Sequence, residues 1–193
     1  MPRRIAAKFI ASPDPGASLD LHPFIGIFHR FIQQGAVPGL LVDVADYAHV
    51  PDGPGVMLIG HDVDYGIDQS GGRTGLLTTR KRCADMLLSA VLRDTLQRAL
   101  RAVAAIEADD ATGLRFATAA VTLQFIDRLA TPNDAAAYEA VRGEVAALAD
   151  RLYGPGRARI EREHADDPRR VLTVRVASDE ATDAGALLER LAA

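Results

Sequence analysis

Cysteine is almost missing from this 193-residue chain, Cys83 being its only one. An internal disulfide and any multi-cysteine zinc or iron–sulfur centre are thereby excluded, and a reducing cytoplasmic location is the expectation. Tryptophan is absent and aromatics make up only 5% of residues, so the core must be built mainly from Leu, Val, Ile and Ala. No uninterrupted apolar run approaches the ~18 residues of a membrane span. Arg3 and Arg4 precede apolar Ile5 to Ala7, but Lys8 interrupts that stretch, which fits a strand better than an export signal. A concentrated basic surface is also lacking. With a net charge of −4, no nucleic-acid partner is expected. The one basic run, Arg80-Lys81-Arg82, reads as a solvated strand end whose charges discourage edge pairing.

What is present suits a packed soluble protein: 48% hydrophobic and 25% charged residues. A chain of this size buries about 70% of its surface without a staple, and residues 1–193 are read as one domain. Arg4 to Ile10 reads as a strand, followed by the turn cluster Ser12-Pro13-Asp14-Pro15-Gly16. Asp20 is placed to cap a helix with Pro23 in its first turn, and Phe24, Phe28, Phe31 and Ile32 recur at helical spacing. Gly39 to Tyr47 and Val56 to Tyr65 read as two strands joined through Pro51-Asp52-Gly53-Pro54-Gly55, and a second glycine loop, Gln69 to Arg73, leads to a short strand Gly75 to Thr79. The longest helical pattern runs from about Cys83 to Ala108. Further along, Phe116 to Arg128 reads as a strand and Thr131 to Asp134 as the start of a helix that ends at Gly154. Arg157 to His164 and Val171 to Ala177 read as a hairpin, and Ala184 to Leu191 as a closing helix.

In element order these segments form two βαββ-like halves, 1–110 and 111–193. Setting Gly39 against Gly156 also aligns Pro51 with Pro168. The expected fold is α/β of the α+β type: an antiparallel or mixed sheet with helices mainly on one face, and an internal repeat.

Chemistry-bearing residues are unevenly spread. Residues 1–82 hold eight Asp and no Glu, together with four of the five histidines. Within Asp43 to Asp68, short carboxylates and imidazoles have the donor types that a divalent metal or proton transfer requires. The candidates are His61, Asp62 and Asp64 for catalysis, the same three with His49 for a metal, and Tyr47, His49, Tyr65 and Arg73 for a small ligand. On a single strand Val56–Tyr65, His61 would face away from Asp62 and Asp64, so convergence requires a bulge, for which Gly60 is placed. The competing reading is a strand that turns polar as it leaves the core. His22 and His29 lie seven residues apart on one helix edge, about 10 Å along the axis, too far to share a metal. Cys83 has no distinctive neighbours and reads as a structural thiol.

The run LLVDVADYAHVPDGPGVMLIGHDVDYGID, with GLLTTRKR after it, resembles a bacterial protein group of unassigned activity. That resemblance implies no role for any residue. The favoured reading is a non-catalytic module that binds a small molecule or a protein partner, with an open sheet edge making a homodimer plausible. The alternative is a metal-assisted or acid–base enzyme built on the 43–68 segment.

Overall fold

The computed structural model describes residues 2, 4–15, 19–50, 52–83, 86–180 and 182–192. Gly16, Pro51 and Arg3, which figure in the sequence reading, lie outside them. The elements are β1 (Ile5–Ile10), α1 (Pro23–Gln34), β2 (Leu41–Tyr47), β3 (Gly55–Gly60), β4 (Val63–Asp68), β5 (Gly75–Arg80), α2 (Leu88–Glu107), β6 (Ala120–Phe125), α3 (Ala135–Tyr153), β7 (Ala158–Glu163), β8 (Leu172–Ser178) and α4 (Ala184–Ala192).

All eight strands form one sheet in the order β2-β3-β4-β5-β1-β6-β8-β7, and every neighbouring pair is antiparallel. β1 and β6 are adjacent near its middle. From them the strands run outward in reverse chain order, β5 to β2 on one side and β8 then β7 on the other. The register places Phe9, Leu76, Ile67 and Val56 on one face, with Leu123 and Val174 beyond them. These residues share one buried cluster with Phe28 of α1, Leu96 of α2, Val145 of α3 and Leu187 of α4. Alternation sends the intervening residues, among them Lys8, Asp64, Asp68, Thr122 and Thr173, to the opposite face.

Several boundaries differ from the sequence reading for identifiable reasons. Val56–Tyr65 is not one strand: the chain turns at His61-Asp62, between β3 and β4. Gly60 serves this turn rather than a bulge, because a Cβ there would stand 2.2 Å from the Val63 carbonyl oxygen. Asp20 does not cap α1; it accepts from the His22 N–H (3.0 Å), and His22 occupies the cap position without a side-chain bond. α2 begins at Leu88, not near Cys83. β6 is shorter than Phe116–Arg128, since Phe116 makes only an isolated bridge to Ala11 and a turn follows it. By contrast, Asp134 does cap α3, accepting from Ala137 N–H at 2.8 Å.

The Arg80-Lys81-Arg82 run is at a strand end with Arg82 exposed, but its charges are engaged in pairing and guard no sheet edge. It lies at the end of β5, an interior strand. Arg80 bonds Asp94 of α2, Lys81 pairs with Asp64, and Arg82 reaches His61.

Candidate functional site

The turn between β3 and β4 separates the residues singled out in the sequence. His61 and Asp62 sit on the turn itself, with the His61 Nε2 3.8 Å from Asp62 Oδ1 and the Arg82 guanidinium at the same distance from that oxygen. All three side chains are about half exposed. Asp64 belongs to a different group: it pairs with Lys81 at 2.7 Å and accepts from the Gly60 N–H at 3.1 Å, while Lys81 also donates to the Gly60 carbonyl at 2.6 Å. His49 lies in the loop at the far end of β3, its ring 6.3 Å from that of Tyr47. A six-residue strand separates it from His61 by roughly 20 Å. Among the described residues no three His, Cys, Asp or Glu side chains gather into a metal-holding group.

Tyr65 points to the other face of the sheet and is fully buried. Burial pushes its phenol above the usual range, and the Arg98 guanidinium partly opposes that shift. Cys83 is buried too, and its thiol is pushed up chiefly by desolvation. A raised thiol is a poor nucleophile at neutral pH, in keeping with a structural role. Of the ligand candidates, Arg73 lines a cavity on the polar face of the sheet, and Tyr47, His49 and Tyr65 do not.

That cavity measures about 800 Å³. It runs across the polar face of the sheet, over β1 and β6, from the loops around Asp52 and Ser70–Arg73 to the β7–β8 turn at His164–Val171. Its most unusual lining residue is Lys8, a cation in the middle of the apolar strand IAAKFI and only 5% exposed. Lys8 Nζ stands 2.5 Å from Asp68 Oδ2 and donates to the Ser70 carbonyl at 3.3 Å. The Ser70 hydroxyl bonds the same carboxylate oxygen at 2.6 Å. The pair reaches across β5, where the register sets Gly75 between Ile10 and Asp68. Gly75 admits no side chain, since a Cβ would meet the Phe9 carbonyl oxygen at 2.4 Å.

Asp68 and the Ser70 carbonyl accept from the Lys8 ammonium, and the same cavity is lined by Thr122 and Gln124 of β6, Thr173 of β8, Arg73 and Glu163. Neither Arg73 nor Glu163 has an ion pair within 4.0 Å among the described residues.

Hydrogen bonds tie the loops of the walls together. Asp52 (φ 53°) and His164 (φ 54°) are the two non-glycine residues with left-handed backbone among the described residues, and both line the cavity. Such conformations persist where the surroundings enforce them, and they concentrate at binding sites. Asp52 Oδ1 accepts from the Gly71 N–H at 2.6 Å, tying the two loops on one side together. On the other side, buried Asn133 donates to the carbonyls of His164 (2.8 Å) and Asp167 (3.0 Å), and its own oxygen accepts from Arg162 Nε at 2.9 Å.

Comparison with protein-family models, with curated proteins and with solved structures returns no match. The site therefore has to be read from its own chemistry. The described residues contain no helix long and apolar enough to cross a membrane.

Proposed function

We propose that this chain is a non-catalytic binding module that holds a small polar molecule in the cavity above β1 and β6. The observation that carries the reading is Lys8, a buried cation in a central strand that lines an 800 Å³ space among other polar side chains. Burying a charge in a central strand costs stability that an apolar residue would avoid, and a ligand that Lys8 recognises gives that cost a function. Donors (Lys8, Arg73, Gln124) and acceptors (Glu163, Gln124, the threonine hydroxyls) surround one space. That mixture suits a ligand with hydrogen-bonding groups on several sides. The Asp- and His-rich 43–68 segment then contributes to this site through Asp52 in its wall and Asp68, which holds Lys8, rather than through His61, Asp62 or Asp64.

The reading extends to the architecture. A repeat of the form β-α-β-β-α in each half would take β4 and β5 as the counterparts of β7 and β8 and leave β2–β3 as an additional hairpin, in place of the sequence pairing of Gly39 with Gly156, which sets β2–β3 against β7–β8. Helices gathered on the apolar face would leave the polar face for the ligand at the seam of the halves. One domain of 193 residues, located in the cytoplasm and without nucleic-acid contacts, completes the proposal.

A thermal-shift screen of polar compounds, covering carboxylates, phosphates, amino acids and sugars, tests it. At a ligand concentration about a hundred times Kd, stabilisation is about 2.7 kcal/mol. At least one compound is expected to raise Tm, and Arg73→Ala, on an exposed loop, is expected to remove that shift while leaving the ligand-free Tm unchanged. No shift with any class, or a shift indifferent to both Arg73→Ala and Gln124→Ala, overturns the proposal.

A further inference from the structure

The sheet ends in β2 on one side and β7 on the other, and the two edges differ in charge. β2 carries only acidic charged residues, Asp43 and Asp46, and its ladder with β3 is irregular between Leu41 and Asp43. β7 and the residue before it read Arg157, Ala158, Arg159, Ile160, Glu161, Arg162, Glu163.

The ladder with β8 fixes which backbone groups of β7 face outward. Ser178 gives its N–H to Ala119, on the β6 side of β8. Alternation then directs Ala177, Arg175 and Thr173 toward β7, where they are registered with Arg159, Glu161 and Glu163. The N–H and C=O groups of Ala158, Ile160 and Arg162 are consequently those at the open edge.

We infer that β7 is a self-complementary edge that pairs antiparallel with β7 of a second copy of this chain, centred on Ile160. In that register Ile160 faces its own counterpart and Ala158 faces Arg162, each a hydrogen-bonded pair formed by the outward groups. Arg159 then lies opposite Glu161, and Arg157 opposite Glu163, twice each by symmetry. These fall at non-hydrogen-bonded positions, where facing side chains stand closest. Every one of the four contacts joins opposite charges.

A shift of two residues either way that keeps the outward groups paired weakens this match: one sets Glu161 against Glu161 and keeps only the two Arg159–Glu163 contacts, and the other sets Arg159 against Arg159 and keeps only the two Arg157–Glu161 contacts. The charge order therefore favours the register centred on Ile160, in which all four contacts are opposite, as an isologous two-fold contact allows. Arg157 is held by Glu180 (2.5 Å), and Arg159 lies 3.9 Å from Glu161 within one copy, so the two Arg159–Glu161 contacts carry most of the selectivity. Edge pairing buries less surface than a standard interface, which makes the dimer weak and concentration-dependent.

Sedimentation of the full chain over a concentration series at low salt is the test. The wild type is expected to move from monomer to dimer. Arg159→Glu and Glu161→Arg, taken singly, each oppose like charges and are expected to weaken the dimer roughly tenfold or more. Mixing the two variants restores opposite charges at both inner contacts, so a heterodimer of wild-type strength is expected, a recovery that a folding defect would not give. The double variant should dimerise alone for the same reason. A wild type that stays monomeric, a dimer insensitive to the single changes, mixed variants that fail to associate, or an open-ended series of masses from β2 pairing with β7 would each overturn the inference.

Discussion

The two ends of β4 carry the same pair of side chains, an aspartate held by a lysine, in two different settings. At Asp68 the lysine comes from β1, sixty residues away, and both side chains are about 5% exposed. At Asp64 the lysine is Lys81, just past the adjoining strand, and the side chains are 12% and 26% exposed. Each lysine has two partners, a carboxylate and a backbone carbonyl, so the settings differ in burial and place: Lys8 lines the cavity, whereas Lys81, bound to Asp64 and the Gly60 carbonyl, holds the β3–β4 turn with the Asp64–Gly60 N–H bond. Identical chemistry thus serves a site at one end of a six-residue strand and a turn at the other.

Removing one partner separates the two settings most sharply. Asp68→Ala strands a buried ammonium, and a loss of about 3–5 kcal/mol is expected in chemical denaturation. The double change Lys8→Met with Asp68→Leu should recover most of it, since replacing both members of a buried pair with apolar groups is often nearly neutral. A single-variant loss below about 1 kcal/mol would show that water reaches the pair and would remove the contrast. Asp64→Ala is expected to cost less, about 1–2 kcal/mol, because Lys81 can turn toward solvent and two turn hydrogen bonds become one. Equal losses at the two ends would mean that burial does not distinguish them.

The apolar face of this sheet was legible in the sequence, whereas the cavity was not. Phe24, Phe28 and Phe31, or Val121, Leu123 and Phe125, announce their faces by spacing within one segment, and the structure buries them accordingly. Thr131 to Asp134 announces the start of α3 in the same local way. The cavity residues have no such spacing. Lys8, Arg73, Gln124 and Glu163 meet only because β1 and β6 are neighbours and two hairpin loops reach over them. Lys8 was visible solely as an interruption of an apolar strand, which was the available signal. The Asp- and His-rich stretch suggested convergence because closeness in sequence resembles closeness in space. A tight turn at His61-Asp62 reverses the chain and divides that stretch between two ends of the sheet.

The turn itself gives the smallest expected effect and bears most directly on the divided stretch. His61, Asp62 and Arg82 are each about half exposed and separated by distances near 4 Å where they face the Asp62 carboxylate. Ion pairs in such a setting gain little over water, because solvent screens them and long side chains lose freedom to form them. Asp62→Ala and His61→Ala should therefore change stability by less than about 0.5 kcal/mol, well short of either lysine–aspartate pair. The same geometry bears on metal binding: a cation at the turn would meet Asp62 and His61 beside the positive Arg82, while Asp64 is held by Lys81 and His49 lies at the other end of β3. Mg, Mn, Ca or Zn is accordingly expected to leave Tm unchanged in the wild type. A metal-dependent rise that disappears on Asp62→Ala with Asp64→Ala would show instead that the turn rearranges to gather these carboxylates, and would make the two ends of β4 alike in binding as well as in composition.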